Sequence, residues 1–436
     1  MIGLFFVLGC SASTVDGGVD GAIDLGIDSE TSDARVDDAP ADAEDVTIDA
    51  ASCAAAPAMV PCAGLYALRG MPLDVTGWRT NLGVGTAHDP IDGWRWIGFV
   101  RDPLRPARFS EYRIVHADDH LTSLDTTTVV RALPRDIGGS EYQLRDFLYD
   151  RCRSEWLALL FNDATPGTIY GVGYDLAGNP ISGPTDLSIL NSTVGYAARA
   201  DGYGFIASTS SDVCGPRMLS TAWVDARDLS VTQSAGVAFD DRYAPHSETR
   251  GSDWVLASHA TCDQTSSLML WDVASTGEVR SPRTVTGLVD VGRSSWWNVK
   301  VFEDGPAIAW ALRLGAPGSI QMLATGVDVV SGNTRTPPTV VVDGTDLADI
   351  RPGLFEQEGD AGFAILYAED TLSAPPTQRT WFVRIATDGT VLQRTMIAEN
   401  PTVGGLGPFA LKWLRDRYIV GYRHGPDVLD ELRCSP

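Results

Sequence analysis

Ser154-Glu155-Trp156-Leu-Ala-Leu-Leu-Phe161 is a polar pair, an aromatic, and then an apolar run of strand length. A run that is apolar at every residue, not at every second one, suits a strand covered on both faces. A short polar turn ahead of an apolar run returns at Asp92-Gly93-Trp94, Asp201-Gly202-Tyr203, Ser252-Asp253-Trp254, Asp304-Gly305-Pro306, Asp360-Ala361-Gly362-Phe363 and Asp416-Arg417-Tyr418. Seven marks recur at roughly 50-residue intervals, which is the signature of a repeat architecture.

A second mark follows each of the first six. It is a tight polar turn, at Ala117-Asp-Asp-His120, Ala177-Gly178-Asn179, Ala226-Arg227-Asp228, Ser275-Thr276-Gly277, Ser331-Gly332-Asn333 and Thr387-Asp388-Gly389. Gly and Asn accept the positive φ that short hairpins need. The clearest is Asp388-Gly389 between Val383-Arg-Ile385 and Thr390-Val-Leu392. Helix-period patterns with caps are scarce. Units of about 50 residues with about four short strands each predict an all-β chain, a β-propeller. Seven four-stranded blades are expected, with six or eight left open by the long first step between marks. Sandwich domains would not repeat at this interval, and solenoid coils are shorter.

The last unit lacks a trailing turn and ends at Cys434-Ser-Pro436. Gly64-Leu-Tyr-Ala-Leu-Arg69, from the other end of the repeat region, is expected to supply the missing outer strand. Such closure removes a free sheet edge. Cys62 and Cys434 would then meet, and a bond between them adds about 4–5 kcal/mol by chain entropy. A local Cys53–Cys62 bond competes with that pairing. Cys214 and Cys262, in equivalent loops of adjacent units, form another candidate pair.

The chain of 436 residues carries a formal charge of −24, is 44% apolar and 21% charged. That balance is globular and argues against a nucleic-acid partner, which needs a basic footprint. The acidity is concentrated in residues 11–52, where ten Asp and two Glu stand against Arg35 alone. That stretch has no Phe, Tyr or Trp, so it reads as a disordered, self-repelling tether. Asp16, Asp20, Asp24 and Asp28 lack the spacing of a calcium loop.

Ahead of the tether stands Met1-Ile-Gly-Leu-Phe-Phe-Val-Leu-Gly-Cys10. Val7-Leu8-Gly9-Cys10 resembles the lipobox that ends a bacterial lipoprotein signal peptide, and the acidic tether behind it is similar to those of myxobacterial lipoproteins. The stretch departs from that pattern in having no Lys or Arg before a short apolar run. The resemblance implies cleavage before Cys10, lipidation of Cys10, and, with Ser11 next, sorting to the outer membrane. The expected organisation is a signal-peptide remnant at 1–9, lipidated Cys and acidic linker at 10–52, and the propeller at 53–436. The other six cysteines (Cys53, Cys62, Cys152, Cys214, Cys262 and Cys434) are an even number, which in an exported chain reads as disulfides.

No nucleophile elbow, phosphate loop, dinucleotide fingerprint or zinc spacing occurs. In propellers the loops after second strands gather on one face. Here those positions carry Arg101, Asp102, Asp163, Asp212, His259, Arg313, Glu369, Asp370, Arg423 and His424. Together they form a candidate rim for a glycan, cation or peptide, although strand ends are also polar simply because they reach water. His116-Ala-Asp-Asp-His120 reads as a hairpin turn more than a metal site, and His88 and His246 stand alone. The recurring aromatics Trp94, Trp156, Tyr203, Trp254 and Tyr418 read as packing between blades. No cofactor and no metal is expected. The expectation is a non-catalytic binding or scaffold module, held to the membrane by its lipid, for a protein or glycan ligand. A glycan hydrolase or lyase using rim carboxylates is the alternative.

Overall fold

The computed structural model describes residues 62–75, 86–89, 93–102, 105–131, 136–137, 140–150, 153–162, 168–187, 193–198, 202–208, 217–239, 246–250, 253–259, 268–274, 278, 280, 283–286, 297–301, 307–359, 362–401, 407–414, 417–425 and 427–435. The tether, Cys10, Cys53, Cys152, Cys214 and Cys262 lie outside them.

The chain is all-β. Two short strands, β1 (Leu65–Leu68) and β2 (Leu73–Asp74), come first. The next sheet holds β3 (Thr86–Asp89), β4 (Gly93–Asp102), β5 (Arg105–Ala117) and β6 (Leu124–Val129). Then come β7 (Asp136–Ile137), β8 (Ser140–Asp150), β9 (Glu155–Asn162), β10 (Ile169–Tyr174) and β11 (Pro180–Asp186). A third sheet has β12 (Thr193–Ala198), β13 (Gly202–Ser208), β14 (Arg217–Asp225) and β15 (Val231–Phe239). A fourth has β16 (His246–Arg250), β17 (Asp253–His259), β18 (Leu268–Val273) and β19 (Arg283–Thr284). The fifth has β20 (Trp297–Val301), β21 (Ala307–Leu314), β22 (Ile320–Asp328) and β23 (Thr334–Gly344). The sixth has β24 (Leu347–Gln357), β25 (Gly362–Thr371), β26 (Gln378–Ala386) and β27 (Val391–Asn400). The chain ends with β28 (Ala410–Leu414), β29 (Arg417–Arg423) and β30 (Asp427–Ser435).

Each sheet is an antiparallel meander whose neighbours follow chain order, except the last, ordered β1-β30-β29-β28 with β2 also on β30. This is the architecture of a β-propeller. Two sheets depart from the expected four strands: β7 pairs with β8, and β2 extends the last sheet, so each holds five. Both extra strands are two residues long, too short for any periodicity to show.

The apolar runs are second strands, and they are covered on both faces. Trp156 to Leu160 of β9 are buried throughout, as is nearly all of β25. The described part of the mark aromatics bears out the packing expectation. Trp156 packs with Ile114 and Val130 of the preceding sheet, Tyr203 with Leu157 and Leu159, and Trp94 with Ile419 and Leu429. Trp223 and Trp254 bring the third and fourth sheets together, with ring centroids 5.7 Å apart. The first strands β12, β16, β20, β24 and β28 contact one another in that order, as innermost strands do.

The expected closure is present. Leu65 to Leu68 pair with Ser435 to Leu432, and Cys62 is bonded to Cys434. The outward edge of β1 is then satisfied by side chains of the preceding sheet. Gln393 accepts from the Tyr66 N–H at 2.9 Å and donates to its carbonyl at 2.6 Å, so its amide stands in for a further strand. Arg384 donates to the carbonyls of Cys62 and Gly64 at 3.0 and 2.9 Å. It also holds Glu358 through bonds of 2.6 and 2.8 Å, and stacks over the Tyr66 ring at 4.7 Å. Burial, then the Glu358 charge, pushes the Tyr66 phenol up to about 12.

Candidate functional site

Second strands end together on the face that carries the expected rim, because every sheet runs in the same order. Arg101 and Asp102 close β4, His259 closes β17, Arg313 is next to last in β21, Glu369 and Asp370 stand near the end of β25, and Arg423 ends β29 with His424 after it. Asp163 and Asp212 lie outside the described residues, and the side chains described on this rim are those of Glu369, Asp370, Arg423 and His424.

Glu369 and Asp370 are adjacent on a strand, so their side chains leave opposite faces. They therefore do not converge as a carboxylate pair. Glu369 is 2% exposed. Its Oε1 accepts from the Tyr367 hydroxyl at 3.2 Å and from Arg394 at 2.8 Å, and its Oε2 accepts from the Trp381 indole at 2.7 Å. Arg394 lies over the Trp381 ring at 4.1 Å. Burial, followed by the Glu369 charge, drives the Tyr367 phenol well above its ordinary value. Asp370 accepts from Arg351 and Gln378, each at 3.0 Å. These carboxylates are held by two or three donors each, and they serve to position arginines at the surface.

Arg423 donates to Asp427 at 3.0 Å across the β29–β30 turn. Asn400, the last residue of β27, donates to the Arg423 carbonyl at 2.6 Å and accepts from the Gly425 N–H at 3.0 Å. One side chain thereby fixes the turn of the next sheet. His424 sits in that turn, exposed to water. Arg351, on Asp370, and Arg394, on Glu369, are held on opposite faces of β25.

Arg351, Arg394, Trp381 and Asn400 were not among the sequence candidates. Trp381 stands opposite Tyr367 in the β25–β26 register, which the turn at 372–377 fixes and the sequence reading did not use. The other three depend on which side chains reach across to a neighbour.

The turns opposite the rim are built on aspartates within the expected turn or two to three residues ahead of it. Asp118 accepts from the backbone N–H of His120 and Thr122 and from the hydroxyls of Thr122 and Ser123. Burial would raise its carboxyl, but those hydrogen bonds outweigh it and hold it well below the usual range. Asp175 and Asp328 cap their turns similarly, through Asn179 and through Val330 and Ser331. In both the same balance lowers the carboxyl. The run from His116 to His120 is thus a capped hairpin. Among the described residues no group of three or more His, Cys, Asp or Glu is placed to hold a metal.

The chain matches no family model and no curated protein. It is similar in fold to several solved structures. The Dos1 propeller is 12% identical with a TM-score of 0.41, covering 86% of this chain and 95% of that one. A polysaccharide lyase, an ulvan lyase, is 10% identical with a TM-score of 0.44, covering 87% and 96%. Prolyl oligopeptidase B from Galerina marginata is 11% identical with a TM-score of 0.46, covering 80% and 48%. Likeness at this distance carries no argument about activity.

Proposed function

We propose that this chain is an envelope lipoprotein whose propeller is a non-catalytic binding or scaffold module. Lipidated Cys10 holds it to the outer membrane, the acidic tether spans roughly 35–40 Å as a random coil, and a closed ring of seven blades presents its rim to a protein or glycan. Seven sheets, each packed on the next, support the blade count. The Cys62–Cys434 bond supports an oxidising compartment. The observation that carries the binding reading is that Glu369 and Asp370 are buried and held by hydrogen-bond donors of the neighbouring strands. The usual hydrolytic cleavage of a glycan uses two carboxylates about 5–10 Å apart facing one substrate, and these two face apart.

Two experiments test the reading. The propeller, exported behind a heterologous signal peptide with its chain starting at Ser11, is applied to a glycan array and used for pull-down from envelope extract. Arg101→Ala, Asp163→Ala and Arg351→Ala should weaken whatever binds; undiminished binding in all three removes the rim. Release of shortened oligosaccharides from a captured glycan would replace binding with hydrolysis or elimination. For the anchor, labelling with a palmitate analogue in the chain with a restored signal peptide should vanish in Cys10→Ala. Equal labelling would refute it.

A further inference from the structure

Cys62 to Arg69, where the described chain begins, is tied to three sheets at once. On one edge β1 pairs with β30, and Cys62 is bonded to Cys434 of that strand. On the other edge the sixth sheet holds it through buried side chains. Arg384 donates to the Cys62 and Gly64 carbonyls, Gln393 brackets the Tyr66 backbone, and the Tyr66 hydroxyl donates to Glu358. At the far end the Arg69 N–H donates to the Glu431 carbonyl at 2.8 Å. The Arg69 guanidinium donates to the His120 carbonyl, in the β5–β6 turn of the first sheet.

The order of these ties decides what a pull on the chain ahead of Cys62 would do. β1 is antiparallel to β30, so a pull from that side meets Leu65↔Ser435 first and Leu68↔Leu432 last. Bonds met in series open one at a time, and each backbone bond is worth only about 0.5–1.5 kcal/mol net. Pairing alone would therefore unzip. The Cys62–Cys434 bond stands ahead of the whole series and carries the pull across to β30. β30 is in turn paired along its length with β29, from Arg417↔Arg433 to Arg423↔Asp427. Arg384 and Gln393 pass a second share into the sixth sheet. We propose that Cys62–Arg69 is a mechanical anchor, which takes up a pull on the N-terminal chain without unzipping the strand that closes the ring. The source of that pull, a lipid on Cys10 working against a ligand held by the propeller, rests on the reading given above; the resistance itself does not.

The test is force spectroscopy on single molecules of the exported chain, with one handle ahead of Ser11 and the other at Leu372, an exposed residue between β25 and β26. Reduction of the held molecules should bring out a short first step that the oxidised chain lacks. Residues 62–75 would come away with β1 and β2, for at most about 5 nm of contour length, at a lower force than the first rupture of the oxidised chain. Cys62→Ser with Cys434→Ser should repeat the reduced trace; if that variant does not fold, reduction of the held parent decides. In the reduced chain Gln393→Ala should lower the force of the short step further, and an unchanged force would overturn the sixth sheet's share. The same first rupture before and after reduction, in force and in length, would overturn the anchor. The traces need no lipid, so their outcome and that of the Cys10 labelling are separate.

Discussion

Replacing Arg384 with Met should be the most damaging single change at the closure. Its guanidinium is 3% exposed and its partner Glu358 2%. Methionine keeps much of the apolar stem but removes both bonds to the carboxylate and the two donors to the Cys62 and Gly64 carbonyls. Glu358 keeps the Tyr66 hydroxyl at 3.2 Å as donor, but stays buried as an uncompensated charge. Stranding one member of a buried pair costs about 3–5 kcal/mol. The lost carbonyl bonds belong to the same unit and should not be added separately. Urea unfolding under oxidising conditions, with the slope checked for constancy, reads this directly. The double variant Arg384→Met, Glu358→Leu removes the stranded charge and should be more stable than Arg384→Met alone. A loss under about 1 kcal/mol in the single variant, or a double variant less stable than the single, would refute the reasoning.

Three further outcomes follow from named contacts. Gly93 has φ +89°, and a Cβ there would lie 2.3 Å from the Ala117 carbonyl, so Gly93→Ala should cost about 2–3 kcal/mol in chemical unfolding. Gly70→Ala, with φ +74° but open space, should cost about 1 kcal/mol, and equal losses would count against the steric account. Asp118 titrates lower folded than unfolded, so its stabilisation is complete above the unfolded carboxyl value of about 3.9 and disappears as pH falls through the lower folded one. Asp118→Asn should therefore melt lower than the parent at pH 7 and converge with it in strong acid; a gap that persists in acid would contradict this. Asn400→Ala should cost about 1–2 kcal/mol and speed hydrogen exchange at Gly425, by freeing the β29–β30 turn from its neighbour.

The propeller was legible because its second strands are covered on both faces, which writes an unbroken apolar run after each polar turn. The closing strand was legible for a related reason: the final unit has no fourth strand, and Leu65 to Leu68 has no other sheet to join. The chemistry of the rim was not. Glu369 and Asp370 read like any polar strand end, and the partners that bury them come from across β26, β27 and β24. Asp118 stood inside a noted turn, and Asp175 and Asp328 stood two and three places ahead of theirs. Their role appears only once the turn's backbone N–H groups are seen to point at them.

The central claim is that the first and last strands of the propeller region build one sheet and are locked together there. Peptide mapping of the intact, unreduced protein tests it most directly. The account predicts a single linked pair of fragments carrying Cys62 and Cys434. Recovery of Cys62 joined to Cys53, or of Cys434 as a free thiol, would contradict it.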